Sequence, residues 1–159
     1  MAASQSTQEG LILQKGKRRV GKGNAGQDEP NSAPSQWGRR LARVAGEKFG
    51  VEMVSNQTKN EGTFRGQEIV IKCAKSTMPP VSVLTDMLDR LDQLWAVYVM
   101  PAGHAEIWAL DIEKVREHGY FTRGPNVQKR VEIYLRKIVK HGEKVGELTV
   151  AEVEACQIP

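Results

Sequence analysis

Residues 60–76 read NEGTFRGQEIVIKCAKS, a polar turn with two glycines followed by an apolar segment. The apolar part opens with Ile-Val-Ile, three consecutive β-branched residues, which predicts a strand covered on both faces. Side chains alternate between the two faces of a strand, so Glu68, Val70 and Lys72 are expected to share one face. The segment therefore predicts a buried strand that carries a carboxylate and an ammonium group on one side.

These charged side chains allow two interpretations. With Glu61 in the preceding turn, Glu68 and Lys72 would hold a divalent cation beside a phosphate, because carboxylate oxygens suit Mg²⁺ and a lysine neutralises developing phosphate charge. The structural alternative is that Lys72 is a solvated charge near a strand end, where it discourages pairing with other chains. The order of the elements on both sides is needed to choose between them.

The whole chain has the character of one soluble domain. It has 159 residues and 40% hydrophobic residues, and no apolar run approaches the ~20 residues that cross a membrane. Residues 1–10 are polar and show no secretory signal. Cys73 and Cys156 lie far apart without metal-ligand spacing, and Cys73 falls in the apolar strand, so a reducing cytoplasm is the simplest setting. The three histidines also lack ligand spacing.

The positive charge is concentrated at the N-terminus. Residues 1–40 hold seven basic and three acidic side chains, an excess equal to the formal net charge of the chain, +4. Residues 1–34 are rich in Ser, Gln, Gly, Lys and Pro without periodicity, which predicts a disordered basic arm followed by a single domain over 35–159. The arm is interpreted either as a solubilising tail or as a phosphate-binding segment whose contacts are Lys15, Lys17, Arg18 and Arg19.

The remaining pattern predicts alternating helices and strands, an α/β (α+β) fold with a central mixed sheet flanked by helices. The predicted strands are 51–55, 67–74, 94–100 and 105–110. The predicted helices are 35–49, one that starts at Pro79-Pro80 and ends near Leu91, 112–118, 126–140 and 150–156, with a loop over 120–124. Two of these ends have specific signals, Gly119 after the third helix and the capping-box pair Thr149 and Glu152 before the last. The helix over 126–140 carries basic residues that suit either a solvated face or a nucleic-acid backbone, namely Lys129, Arg130, Arg136, Lys137 and Lys140.

The element order resembles the restriction-endonuclease-like PD-(D/E)xK nuclease superfamily over about residues 36–118. In that family a helix precedes a sheet whose central hairpin carries an acid, then an acid two residues before a lysine, and a helix and further strands follow. The pattern is most similar to small type II restriction enzymes, in which a Gly-Gln-Glu run opens the lysine strand, here Gly66-Gln67-Glu68.

The resemblance assigns roles to individual residues. Lys72 matches the motif lysine, and Glu61 matches the turn acid, with Asn60 as a competing register. The second acid departs from the pattern, because Val70 occupies its position and Glu68 stands two residues earlier, roughly 6–7 Å along the strand. Two other acids, Glu47 and Glu52, are alternative sources of a metal-binding oxygen.

The resemblance implies a magnesium-dependent endonuclease that acts on nucleic acid, DNA in the first place. Glu61 and Glu68 would bind Mg²⁺, and Lys72 would position the attacking water and stabilise the phosphate charge. Flanking phosphates would be contacted by Arg65, Lys75 and Ser76. Cleavage of both strands of a duplex would favour a two-fold homodimer.

Two other functions fit the same sequence. A catalytically inactive relative that binds nucleic acid or a partner protein is favoured by Val70 and by the basic arm. A small structural or assembly subunit is favoured by the balanced charge of residues 41–159 and by apolar strands and helices available for an interface.

Overall fold

The computed structural model describes residues 33–55, 60–122 and 129–157, with side chains from residue 36 onwards. Residues Gly38–Gln157 form one compact unit. The fold is a mixed α/β arrangement of a six-stranded sheet, a three-stranded sheet and helices. This confirms the expected α/β class with a central mixed sheet.

The first helix is followed by runs of strands that shorter helices separate. The N-terminal half contains α1 (Ala33–Lys48), β1 (Glu52–Met53), β2 (Glu61–Phe64), β3 (Gln67–Ala74), β4 (Val81–Leu84), a 3₁₀ helix (Thr85–Arg90) and β5 (Gln93–Val99). The C-terminal half contains β6 (Ala105–Asp111), α2 (Ile112–His118), β7 (Tyr120–Phe121), β8 (Arg130–Ile133), α3 (Leu135–His141), β9 (Glu143–Leu148) and α4 (Val150–Glu154).

The strands form two sheets. The larger sheet has the order β9-β6-β5-β3-β2-β1, and the smaller has the order β4-β8-β7. Within the larger sheet only β3 and β5 run parallel, and every other neighbouring pair is antiparallel. The connection between the parallel pair contains β4 and the 3₁₀ helix, so the smaller sheet is built from the crossover and from later strands.

The β2–β3 hairpin closes with a two-residue turn. Arg65 and Gly66 have φ angles of 52° and 79°, the left-handed pair that matches the twist of a tight hairpin. Glycine adopts this conformation without steric cost, whereas Arg65 is strained. The Arg65 guanidinium lies 4.8 Å from the centroid of the Phe64 ring, a cation–π contact that offsets part of the strain.

The two faces of β3 are covered by different elements, as its continuous apolar run predicts. On one face α1 approaches closely, since a Cβ added at Gly46 would lie 2.9 Å from Ile71 Cδ1. On the other face Val70 and Ala74 belong to a core that includes Val83 of β4, Val131 of β8 and helical residues of α2 and α3. The sheet therefore separates a helical layer from a layer made of the smaller sheet and the short helices.

Several sequence predictions are confirmed. The first helix, the buried strand over 67–74, the strand pair β5–β6 and the helix that ends before Gly119 lie where expected. Thr149 and Glu152 form the complete capping box at the start of α4. The strand predicted over 51–55 is shorter, since β1 contains only Glu52 and Met53.

Other sequence predictions are wrong. The segment after Pro79-Pro80 forms β4 and a 3₁₀ helix instead of an α-helix, because Val81 and Val83 alternate and pair with β8. Residues 130–133 form β8 instead of the middle of a helix, and only Leu135–His141 is helical. Tyr120–Phe121, expected in a loop, is strand β7, and β9 was not expected. In each case pairing with a distant strand overrides a weak local preference.

Candidate active site

The register of the β2–β3 hairpin places the predicted acids and lysine on one face of the sheet. Glu61 was expected in the turn before the lysine strand, but it is the first residue of strand β2. It lies directly opposite Val70 of β3, and residues directly opposite each other share a face. Glu68 and Lys72 stand two residues to either side of Val70, so both are diagonal neighbours of Glu61, with Cα atoms roughly 7–8 Å away. The hairpin therefore brings Glu61 between Glu68 and Lys72.

Glu61 is engaged by an arginine that the sequence patterns did not single out. Arg90, the last residue of the 3₁₀ helix, donates from Nη1 to Glu61 Oε1 at 2.7 Å and from Nη2 to Oε2 at 3.0 Å. The Glu61 side chain is 14% exposed and that of Arg90 is 52% exposed. The hydrogen bond to Glu61 raises the pKa of Arg90, and the negative charge of Glu68 adds to it. A cation that binds both Glu61 oxygens must displace this guanidinium.

Glu68 lies at the exposed start of β3 beside another acid. Thr63 Oγ1 lies 3.4 Å from Glu68 Oε2. The Glu68 backbone N–H donates to Asp92 Oδ2 at 2.7 Å, and the Asp92 backbone N–H donates to the Glu68 carbonyl at 2.8 Å. Asp92 directly precedes β5, the parallel neighbour of β3. In the sequence, Asp92 is visible only as an acid at the start of an apolar strand. That Asp92 lies beside Glu68 becomes clear only from the pairing of β3 with β5.

Val70 and Lys72 differ in their surroundings although they share a face. Val70 is 1% exposed and belongs to the main core, so the position where the motif has an acid is filled by a packed apolar side chain. Lys72 is half-buried and lies opposite Ala96 of β5. At Lys72, β3 is paired with β5, whereas its described pairing with β2 ends at Glu61 opposite Val70. The catalytic and the solvated-edge interpretations of Lys72 therefore both stay predictions.

The alternative acids occupy different places. Glu52 of β1 lies opposite Thr63, which lies opposite Glu68, so Glu52 belongs to the same row of side chains across the sheet. Glu47 is an exposed residue of α1 that pairs with Arg43 at 3.9 Å, on the helix that covers the opposite face. Asn60 accepts a backbone hydrogen bond from Ile71 at 2.8 Å through its carbonyl.

The predicted phosphate contacts are not brought together. Arg65 is exposed at the hairpin turn, whereas Lys75 and Ser76 follow the far end of β3, about 30 Å away at the usual rise of a strand. Ser76 Oγ accepts a hydrogen bond from the backbone of Met78 at 3.5 Å. The arm residues Lys15, Lys17, Arg18 and Arg19 lie outside the described residues.

The oxygen donors at this end of the hairpin fit a hard divalent cation in their chemistry. Glu61, Glu68 and Asp92 supply carboxylate oxygens, the ligands that Mg²⁺ takes in proteins. Two of these carboxylates already bind donors of the chain, namely Arg90 and the Glu68 backbone N–H. Among the described residues, Glu61, Glu68 and Asp92 do not form a group whose ligand atoms all lie within 4.8 Å of one another. Their chemistry suits Mg²⁺, but joint binding of the ion requires these side chains to move closer together and Arg90 to leave Glu61.

A second cluster lies on the opposite edge of the sheet. His104, Glu106 and Glu147 place one ligand atom each within 4.8 Å of one another. Lys144 Nζ lies 2.6 Å from a Glu147 oxygen and 3.6 Å from a Glu106 oxygen. The hydrogen bond from Lys144 lowers the pKa of Glu147. Lys144 thus offsets one of the two negative charges of these acids. Sequence spacing missed the cluster because β6 and β9 are distant in the chain.

No family model matches the chain, and no curated protein matches it. None of the described helices combines the length and the apolar character needed to cross a lipid bilayer.

Proposed function

We propose that this protein is a cytoplasmic magnesium-dependent endonuclease of nucleic acid, DNA in the first place, built on a restriction-endonuclease-like core. The order of α1, the β2–β3 hairpin, the lysine strand and the later strands supports this proposal. The observation that carries it is the hairpin register, which sets Glu61 opposite Val70 with Glu68 and Lys72 on the same face.

Each group of the site has a role in this reaction. Glu61, Glu68 and Asp92 are the residues that would hold Mg²⁺, which when bound supplies Lewis-acid polarisation of the phosphodiester. Lys72 orients the attacking water and stabilises the charge that develops on the phosphate oxygens. The water oxygen loses a proton to solvent and forms a bond to phosphorus, while the bond from phosphorus to one sugar oxygen breaks. That sugar oxygen takes up a proton from solvent, which leaves a phosphate at one end and a hydroxyl at the other.

Incubation of supercoiled plasmid with the purified protein and Mg²⁺ tests the proposal. We expect nicked or linear product with the wild type, a loss of at least ~100-fold in rate for Lys72→Ala, and no loss for Lys114→Ala, which removes an exposed lysine of α2. Circular dichroism checks that the Lys72 variant is folded. Absence of cleavage by the wild type, or equal cleavage by both variants, overturns the proposal. If the protein cleaves both strands of duplex DNA, we expect it to act as a two-fold homodimer.

A second function is favoured by a specific observation, the buried Val70 at the position of the motif acid. Together with the Arg90 guanidinium on both Glu61 oxygens, it supports a catalytically inactive nuclease-fold protein that binds nucleic acid or a partner protein. This function predicts DNA binding in EDTA that weakens steeply between low and moderate salt, as released counterions require. Binding that needs Mg²⁺, or that does not change with salt, argues against it.

A further inference from the structure

The smaller sheet presents aromatic rings to solvent. Within the described ranges, the exposed aromatic side chains are Tyr120, Phe121 and Tyr134, all in β7 or directly after β8. Phe121 lies opposite the buried Val131, so it belongs to the other face of the sheet, whereas Tyr120 and Tyr134 lie together. Scattered exposed apolar residues are ordinary, but a group of aromatics at one place marks an interaction surface. This grouping is a product of the tertiary structure, since the β7–β8 pairing brings together residues 14 positions apart.

The two tyrosines form a fixed pair. The Tyr120 hydroxyl donates to the Tyr134 hydroxyl at 3.2 Å, and their ring centroids lie 5.9 Å apart with the planes tilted by 31°. Their exposed fractions are 45% and 37%, so ring surface of each remains open to solvent. Because each ring has only two rotatable bonds and the hydroxyls are joined, little side-chain freedom remains to be lost when a ligand stacks on them.

The surroundings of the pair are mainly basic. The Arg136 guanidinium lies 6.0 Å from the centroid of the Tyr134 ring, and Arg130 lies in β8 two residues before Glu132, on the solvent side of the smaller sheet. Lys129 is exposed directly before β8. Glu132, which lies opposite Tyr120, is the acidic residue on this side of β8. Positive charge beside open aromatic faces suits a ligand that has phosphates and flat rings together.

We propose that this aromatic-basic face, formed by Tyr120, Tyr134, Arg130 and Arg136, binds single-stranded nucleic acid by stacking of unpaired bases on the tyrosines. Bases have a π-face whatever their sequence, and arginines beside the rings contact the backbone phosphates, the combination used for single strands. A duplex hides its base faces, and an acidic peptide has charge without rings. The inference goes beyond the proposed function and does not depend on Mg²⁺ or on Lys72.

The experiment measures fluorescence anisotropy of two dye-labelled probes, oligothymidylate of ~12 nucleotides and an abasic strand of the same length and charge. The full chain is used in EDTA, so cleavage does not interfere. We expect the wild type to bind the oligothymidylate more tightly than the abasic strand. In the Tyr120→Leu/Tyr134→Leu double variant, binding of the oligothymidylate should weaken about 5- to 150-fold for each lost stack, and the difference between the probes should disappear. Any electrostatic binding by the N-terminal arm is common to both probes and cancels in the comparison.

Matched variants separate stacking from charge. Tyr120→Phe/Tyr134→Phe keeps the rings and should retain the preference for the oligothymidylate. Arg136→Gln should weaken binding of both probes and flatten the salt dependence, whereas Lys144→Gln, an equal charge change at the edge of the larger sheet, should leave both affinities within about twofold. Equal binding of the two probes by the wild type, or an unchanged preference in the leucine variant, overturns the proposal. A loss of duplex DNA binding in the leucine variant that is as large as its loss of oligothymidylate binding overturns it as well.

Discussion

The pairing of Arg90 with Glu61 predicts a measurable loss of stability when it is broken. Glu61 is mostly buried and accepts two short hydrogen bonds from the guanidinium. Removal of one partner from a buried charge-assisted hydrogen bond costs about 1–3 kcal/mol, because the remaining group is desolvated without compensation. The exposure of Arg90 reduces this through solvent screening, so we expect Arg90→Gln to lower the free energy of unfolding by about 1–2 kcal/mol.

A second arginine provides the matched control. Arg116 donates to Asp89 at 2.7 Å, but the Asp89 side chain is 92% exposed, and exposed pairs contribute only about 0–1 kcal/mol. Urea unfolding at neutral pH should therefore show a smaller loss for Arg116→Gln than for Arg90→Gln, with unchanged m-values for both. In a double-mutant cycle, Glu61→Gln should remove most of the effect of Arg90→Gln. Equal losses for the two arginine variants would refute the argument that burial of the carboxylate sets the energy.

Three further predictions follow from the site and its surroundings. If Mg²⁺ binds at Glu61, the Arg90→Gln variant should bind Mg²⁺ more tightly than the wild type in isothermal titration calorimetry, because the competing guanidinium is gone. An unchanged affinity would mean that the metal binds elsewhere. Gly62→Ala should lower the free energy of unfolding in urea by about 1–3 kcal/mol, because the added Cβ would lie 2.5 Å from the backbone oxygen of Glu52. A decrease below about 0.5 kcal/mol would contradict the close approach of β1 and β2. The stacked rings of His118 and His141, whose centroids lie 3.5 Å apart, should make stability depend on pH. Burial first, and then the His118 imidazole, lowers the pKa of His141, so near the ordinary histidine pKa the unfolded chain binds more protons than the folded one. The free energy of unfolding is therefore highest at a pH above the ordinary histidine pKa and decreases as the pH falls. Urea unfolding at several pH values should show a weaker pH dependence for His141→Gln than for the wild type, and an equal dependence contradicts the argument.

The local elements with strong signals could be predicted from the sequence. The apolar run of β3, the strand pair β5–β6, the glycine that ends α2 and the capping box of α4 each rest on residues within a few positions of one another. These elements form because of side-chain alternation, backbone conformation and the hydrogen bonds that cap helix ends, all of which depend on neighbouring residues. The shared face of Glu68, Val70 and Lys72 follows from the same alternation.

The partners of these elements were decided by the tertiary structure. Val81-Ser-Val-Leu and Arg130-Val-Glu-Ile alternate apolar and polar residues over at most four positions each, too few to fix a strand by themselves. They become strands because they pair with each other and bury alternate residues in the core. The same holds for the site, where Arg90 and Asp92 meet the hairpin acids only because β3 and β5 run side by side. Alternation along one strand depends on neighbouring residues, whereas the register between strands depends on the total burial of many distant residues, which no short stretch of sequence contains.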